Sequence, residues 1–163
     1  MKSTDKKTNK ILILTLFILL IFLISAYIIE YVLGHKPCKL CVYQRFPYFV
    51  SIFLVSSILL LKKYVKLSLL GISLVSLLGA VMAFYHFGIE QGFFSESFIC
   101  EAQNLGQNLS KEEILKQLKE NTISCKNVTF KAFGLSLASI NAIFSFILFY
   151  IFLRLFRNYE VNK

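Results

Sequence analysis

Four long apolar blocks dominate the pattern of the chain. They cover residues 11–33, 42–61, 65–87 and about 132–153, and each contains at most one Asp, Glu, Lys or Arg. A helix of about 20 apolar residues crosses about 30 Å of hydrocarbon. The blocks lack the alternation that is typical of barrel strands. The pattern therefore predicts an all-α integral membrane protein, a four-helix antiparallel transmembrane bundle that forms one membrane domain over residues 1–163.

The segments between the blocks predict one short and one long outer loop, at residues 34–41 and 88–131. Within the long loop, Ser110 and Glu113 have the spacing of a capping box, which opens many helices. Ile114, Leu115 and Leu118 then form an apolar stripe. We predict a short interfacial helix here, with a solvated helix packed on the rest of the loop as the open alternative.

The first block could instead be a cleavable signal peptide, because four lysines precede it. Its apolar run is longer than the usual 7–15 residues of a signal peptide, and no clear small-residue cleavage site follows. We therefore expect the first block to remain as a transmembrane helix.

Composition and charge agree with a membrane protein. The chain is 56% hydrophobic and 17% charged, whereas soluble domains average about 45–50% and about 25%. These values exclude a disordered chain, and four cysteines are too few for a disulfide-dense scaffold.

The net charge of +9 reflects the predicted topology. Ten of the 18 Lys and Arg residues lie in three short segments that flank the blocks: 2–10, 62–66 and 154–163. The positive-inside rule places these segments, and with them both termini, in the cytoplasm. We expect membrane lipid around the protein and no nucleic-acid partner.

This topology places all four cysteines on the non-cytoplasmic side, where disulfides persist. Cys38 and Cys41 lie in the first outer loop, and Cys100 and Cys125 lie in the second. The residues alone leave three alternatives open: a structural disulfide that closes the long loop, a zinc site formed by all four cysteines, or two redox pairs that exchange electrons. The wide spacing of the second pair disfavours zinc, and we predict no metal centre.

Residues next to the C-x-x-C motif suggest reactive thiols. Such thiols often have a lowered pKa, and the predicted start of helix two at residue 42 favours a thiolate at Cys41. Arg45 follows one turn later, where a cation at the membrane boundary needs an anion or a polar ligand as partner. Snorkelling of Arg45 to the interface is the alternative.

His86 ends the third block, at the same predicted membrane level as Cys41 and Arg45. A histidine there often serves only as an interfacial hydrogen-bonding group. Arg45 and His86 could equally provide the donors and the proton source that a quinone head group needs.

In order and spacing, these segments resemble the disulfide-bond formation protein B (DsbB) family of bacterial inner-membrane thiol oxidases. The resemblance extends from Tyr27 nearly to the end of the chain. Its matching pieces are residues 37–45, residues 85–91, the pair Cys100 and Cys125, and residues 133–137 followed by Asn141.

The resemblance implies a role for each cysteine. Cys100 is expected to form a mixed disulfide with a periplasmic thioredoxin-fold oxidase of the DsbA type. Cys125 would be its intramolecular mate and would then pair transiently with Cys38. Cys41 would face a quinone, either ubiquinone or menaquinone, with Arg45 holding that complex.

The family also implies a bacterial inner-membrane location with periplasmic cysteine loops, and it places His86 near the quinone pocket. Two rival functions remain from the sequence. One is a quinone reductase of the vitamin K type, in which the C-x-x-C motif usually lies late in the chain. The other is a non-enzymatic tetraspanin-like scaffold with structural disulfides, whose large loop normally carries Cys-Cys-Gly. Neither feature occurs here.

Overall fold

Five helices form the framework of the computed structural model, which describes residues 6–62, 64–95, 125–126, 131–132 and 134–161. Helix α1 spans Lys6–Tyr27 and continues into a π-helical turn at Ile28–Val32. Helix α2 spans Lys39–Tyr43, α3 spans Phe46–Leu61, α4 spans Val65–Glu90 and α5 spans Leu137–Val161. The predicted interfacial helix and Cys100 lie outside the described residues.

Among the described residues, four stretches are long and apolar enough to span a membrane: Lys6–Val32, Lys39–Leu61, Val65–Glu90 and Leu137–Tyr159. Each carries large apolar side chains on its outer face, and Phe17, Phe53, Phe84 and Phe146 are between 61% and 70% exposed. Such a surface suits hydrocarbon rather than water. The predicted four-helix transmembrane bundle is therefore confirmed.

The second span is interrupted, whereas the sequence predicted one helix over residues 42–61. Helix α2 begins at Lys39 and ends at Tyr43, and α3 starts at Phe46. Pro47 lies in the first turn of α3. Because proline has no backbone N–H and its ring disfavours helical backbone just before it, a continuous helix cannot pass through this point without loss.

The tight turn between α3 and α4 makes these two helices antiparallel. Lys62 and Tyr64 both have left-handed backbone, with φ of 50° and 55°. Helix α4 lies close to both α3 and α5, since a Cβ atom on Gly79 would be 3.4 Å from the Pro47 Cβ and 3.5 Å from the Ser145 Oγ. Small residues allow such close approach between membrane helices.

The main core lies in the middle of the bundle, and all four long helices contribute to it. Its buried members are Leu12, Leu19, Leu23, Tyr48, Val55, Ile58, Val65, Leu69, Ile72, Leu148 and Phe152. An aromatic stack on α1, α3 and α5 adds to this core. The Phe22 ring of α1 lies 4.2 Å from the Phe144 ring of α5, and both stack with Tyr48 of α3.

A two-residue antiparallel ladder precedes α5. Strand β1 is Lys131–Ala132 and strand β2 is Leu135–Ser136, with Lys131 opposite Ser136. Gly134 in the connecting turn has a φ of 82°, which favours glycine. The ladder brings the end of the long loop to the start of α5, at the same end of the bundle as α2.

Candidate functional site

The two cysteines of the C-x-x-C motif occupy different positions on α2. Cys38 is the N-cap residue, and its Sγ accepts a hydrogen bond of 3.3 Å from the backbone N–H of Cys41. The two sulfur atoms are 3.1 Å apart, and both are free thiols. Because the helix begins three residues before the predicted start, Cys38 rather than Cys41 receives the stabilisation that the first turn offers to an anion.

Cys38 is accordingly the better thiolate of the pair. Hydrogen bonding from the Cys41 side chain lowers the pKa of Cys38 to about 4, against the opposing effect of burial and with further help from His86. Cys38 is only 6% exposed, so its anionic form depends on these donors rather than on water.

His86 joins Cys38 to a chain of polar side chains. Its Nε2 is 3.5 Å from the Cys38 Sγ, and its Nδ1 is 3.1 Å from the Nε2 of Gln44. The Nδ2 of Asn141 donates to the Oε1 of Gln44 over 2.7 Å. This series of hydrogen bonds thus connects α4, the α2–α3 junction and α5.

Two hydroxyl groups end this series of hydrogen bonds. The Oδ1 of Asn141 accepts from the hydroxyl of Tyr48 and, over 3.2 Å, from that of Ser145. We call the series Tyr48, Asn141, Gln44 and His86 the polar chain. From Tyr48 to His86, each member donates a hydrogen bond to the next one. The Gln44 amide N–H therefore faces an unprotonated Nδ1 of His86, and the His86 Nε2–H points at the Cys38 sulfur.

Arg45 is not a member of the polar chain and has a different partner. Its guanidinium forms an ion pair of 2.6 Å with Glu30 on the π-helical turn, and it lies 4.8 Å from the centre of the Tyr27 ring. The side chains of Arg45 and Glu30 are 14% and 21% exposed. The expected anionic partner of Arg45 is therefore a residue of the first span, which the sequence reasoning did not identify.

A cavity of about 310 Å³ opens beside this ion pair, between α1, the α2–α3 junction and the start of α5. Apolar residues form most of its wall, and its polar lining includes Cys41, Gln44, Arg45, Tyr48 and Asn141. This size and mixture are typical of small-molecule sites. Cys38 and His86 do not belong to the described lining. His86 connects to it through Gln44 on one side and through Cys38 and Cys41 on the other.

The cavity suits a quinone head group. Its apolar wall matches a lipid-soluble ring, and the Arg45 guanidinium has N–H groups beyond the one that binds Glu30. A sulfur atom of the reactive pair, that of Cys41, lies in the same lining. These residues therefore fit the acceptor that the resemblance implies.

Cys125 lies in a buried cluster with Cys38 and is not part of the described cavity lining. It is 1% exposed, it is disulfide-bonded, and it packs in one cluster with Cys38, Leu40 and Ile89. His86 also contacts the backbone of Cys125 through a hydrogen bond. The structure therefore brings together Cys38, Cys41, His86 and Cys125, whereas Cys100 lies outside the described residues.

Two further features of the site concern metal binding and a carboxylate. The ligand atoms of Cys38, Cys41 and His86 lie within 4.8 Å of one another, close enough to hold a metal ion.

Glu90 ends α4 one turn after His86, with its Oε1 3.7 Å from the His86 Nε2. The sequence reasoning missed Glu90, although its spacing of four residues from His86 places both on one helix face.

Fold and site together define a class, a four-helix membrane protein with a reactive dithiol beside an apolar cavity. The family model described as disulfide bond formation protein DsbB matches residues 8–155, so the chain belongs to this family and the resemblance is confirmed. The protein is thus a multi-pass inner-membrane protein with an oxidoreductase role in disulfide-bond formation.

A relative from Rickettsia prowazekii (strain Madrid E) supports this assignment. That protein, described as uncharacterized, is 34% identical over 142 residues, which cover 86% of this chain and 81% of the relative. No solved structure matches the chain significantly.

Proposed function

We propose that this protein is a protein-dithiol:quinone oxidoreductase that reoxidises a periplasmic DsbA-like partner. The observation that supports this most directly is the position of the dithiol between two different surroundings. Cys41 lines the cavity, while Cys38, 3.1 Å away, packs against the disulfide-bonded Cys125. A pair in that position can receive electrons on one side and deliver them on the other.

The electron path begins outside the described residues. A partner dithiol attacks the loop disulfide at Cys100 and leaves as a disulfide, so that two electrons pass to the loop pair. The reduced loop pair then attacks the Cys38–Cys41 disulfide through Cys125, and a second exchange moves the two electrons to Cys38 and Cys41. Free Cys38 and Cys41 next to a bonded Cys125 match the end of this exchange.

A membrane quinone, when bound, supplies the two-electron acceptor that reoxidises Cys38 and Cys41. The polar chain holds the Cys38 thiolate ready to form the disulfide with Cys41. Arg45 orients an oxygen atom at the cavity wall, and Glu30 keeps the guanidinium in place. Two electrons leave the dithiol, one proton leaves the Cys41 thiol, and the second proton comes from solvent, which took up the proton of Cys38 when its thiolate formed, so the reaction balances.

The orientation of the chain completes the proposal. Both termini and the α3–α4 turn lie in the cytoplasm, and the cysteine loops lie in the periplasm, because the basic segments flank the spans on one side. In this orientation the dithiol meets the oxidising compartment and the lipid-soluble acceptor at the same end of the bundle.

Turnover of purified protein tests the proposal. The full chain in detergent, supplied with a reduced thioredoxin-fold oxidase and a short-chain quinone, is expected to reduce the quinone, which is followed by its ultraviolet absorbance. Cys41→Ser is expected to reduce the rate to that without enzyme. The control is Ser57→Ala, which removes a hydroxyl that donates to the Phe53 carbonyl of its own helix. Normal turnover by Cys41→Ser would contradict the proposal.

A further inference from the structure

We propose that the reduced site also binds a thiophilic divalent cation of the Zn²⁺ type, with Cys38, Cys41, His86 and Glu90 as its four ligands. This site differs from the four-cysteine zinc site considered from the sequence, because neither loop cysteine contributes a ligand. It exists only while Cys38 and Cys41 are thiols, since their disulfide leaves no sulfur anion for the metal.

Two of the distances between the ligand atoms are close to those of a tetrahedral site. Bonds of about 2.3 Å to sulfur and about 2.0 Å to nitrogen or oxygen place sulfur and nitrogen about 3.5 Å apart and nitrogen and oxygen about 3.3 Å apart. The Cys38 Sγ is 3.5 Å from the His86 Nε2, and that nitrogen is 3.7 Å from the Glu90 Oε1. The sulfur pair, at 3.1 Å, must widen to about 3.8 Å, and the Cys41 and His86 ligand atoms, which lie within 4.8 Å of each other, must draw together to about 3.5 Å.

Glu90 provides an independent indication of a cation. Its side chain is only 6% exposed. Ser136 forms a side-chain hydrogen bond with the carboxylate and Lys131 interacts with it electrostatically, yet its Oε2 has no hydrogen-bond partner among the described residues. A buried carboxylate oxygen without a partner is costly unless a donor or a cation satisfies it. The carboxylate lies beside the nitrogen and sulfur atoms that a soft divalent cation prefers.

The polar chain can support this second use of His86. A metal on Nε2 requires the proton on Nδ1, which then needs an acceptor. If the side-chain amides of Gln44 and Asn141 each rotate by 180°, the Gln44 oxygen faces Nδ1, and each hydrogen bond of the polar chain is kept with donor and acceptor exchanged. The polar chain ends at the hydroxyls of Tyr48 and Ser145, which accept as readily as they donate, so this reversal costs no hydrogen bond.

Binding transfers no electrons. The cation takes the Cys38 thiolate and displaces the proton of the Cys41 thiol to solvent, and it must leave before the disulfide can form. Under the proposed function, on which this consequence rests, the cation therefore arrests the enzyme in its reduced state.

Metal titration of the full chain in detergent tests the site directly. The protein is reduced with a phosphine, which does not compete for the metal, and Co²⁺ is added as a spectroscopic probe. We expect one Co²⁺ per chain, with the visible bands of tetrahedral cobalt and a sulfur-to-cobalt charge-transfer band, and we expect Zn²⁺ to displace it. Absence of the tetrahedral bands would overturn the proposal.

Variants identify the ligands. Glu90→Gln and His86→Ala are each expected to weaken Co²⁺ binding by about tenfold or more, since loss of even a supporting contact costs 10- to 100-fold. His35→Ala, which changes the other histidine of the chain, is the matched control and should leave the affinity unchanged. Because Glu90→Gln preserves shape, a loss of affinity in this variant cannot be ascribed to misfolding. Unchanged affinity in both His86→Ala and Glu90→Gln would overturn the assignment.

The titration contains neither quinone nor partner, so it separates this inference from the proposed function. Co²⁺ binding without quinone turnover would support the metal site and refute the proposed function. Turnover without Co²⁺ binding would do the reverse. If the protein both binds Co²⁺ and reduces quinone, Zn²⁺ is expected to inhibit turnover, and a chelator should restore it. Turnover that is insensitive to Zn²⁺ at saturating occupancy would refute the proposed arrest.

Discussion

Cys38 and Cys41 are three residues apart, yet they lie in two contrasting regions of the site. Cys38 is buried, caps α2, contacts His86 and belongs to the cluster that contains Cys125. Cys41 is partly exposed, packs against that cluster and lines the cavity. A helix N-terminus distinguishes the two sulfurs, because only the cap position receives the backbone donor. One short motif can thus present a stabilised thiolate to one side and a second sulfur to the other.

The largest expected effect comes from removing each sulfur separately. Cys38→Ser and Cys41→Ser should both abolish turnover, but they should differ in the disulfide that accumulates. Because Cys38 packs in one cluster with Cys125, in Cys41→Ser the Cys38 thiolate is expected to attack the loop disulfide at Cys125 and release Cys100 as a thiol. Peptide mapping by mass spectrometry detects the resulting Cys38–Cys125 disulfide. An equally abundant Cys41–Cys125 link in Cys38→Ser would contradict the division between the two regions.

The next largest effect concerns the cavity side alone. Arg45→Ala should raise the apparent KM for quinone about 10- to 100-fold, since a hydrogen bond from a charged donor contributes about 1.5–3 kcal/mol. Both disulfides should still form. Steady-state kinetics measure this, with Arg45→Lys expected to lie between the two. If KM did not change, Arg45 would not belong to the quinone site.

The thiolate assignment predicts a distinctive pH profile. Because the pKa of Cys38 is lowered to about 4, its alkylation rate in the reduced chain should be nearly constant from pH 5 to 8 and should fall only as the pH approaches 4. An ordinary thiol reacts about tenfold more slowly for each pH unit below a pKa of about 8.5. Peptide-resolved labelling with iodoacetamide measures the profile. In Cys41→Ala, which removes the strongest donor, the rate should regain a dependence on pH.

The smallest expected effect comes from the far end of the polar chain. Asn141→Leu leaves the Gln44 carbonyl without its donor and the Tyr48 hydroxyl without its acceptor, and we expect a loss of about 1–3 kcal/mol in unfolding free energy. Tyr48→Phe removes one hydroxyl and should cost about 1 kcal/mol. Thermal unfolding in detergent compares the two variants. A larger loss in Tyr48→Phe than in Asn141→Leu would place the centre of the polar chain elsewhere.

The sequence predicts the four spans well because each span is set by local composition. It also predicts that Cys41, Arg45 and His86 lie at one membrane level, since each marks the same end of a helix. The ion pair between Glu30 and Arg45 could have been inferred as well. Each is the only Asp, Glu, Lys or Arg in its apolar block, and such residues seek partners inside a membrane.

Other parts of the site could not be predicted from the sequence. The cap at Cys38 depends on a helix that begins before the apolar block and breaks ahead of Pro47. The link from Gln44 to Asn141 joins residues 97 positions apart and depends on how α5 is rotated about its axis. Hydropathy constrains that rotation weakly, because apolar residues surround these helices on all sides.

The π-helical turn at Ile28–Val32 restricts which deletions in the first span this site can tolerate during evolution. In this turn the Leu33 amide bonds to the Ile28 carbonyl, five residues back, so the turn holds one residue more than an α-helical turn would. A deletion of one residue there would restore regular geometry and rotate α1 by about 100° relative to the first outer loop. The membrane span would survive such a deletion, but Glu30 would lose its alignment with Arg45. We therefore expect the length of the first span to vary more readily near Lys6 than near Glu30, where a change of register would break the ion pair.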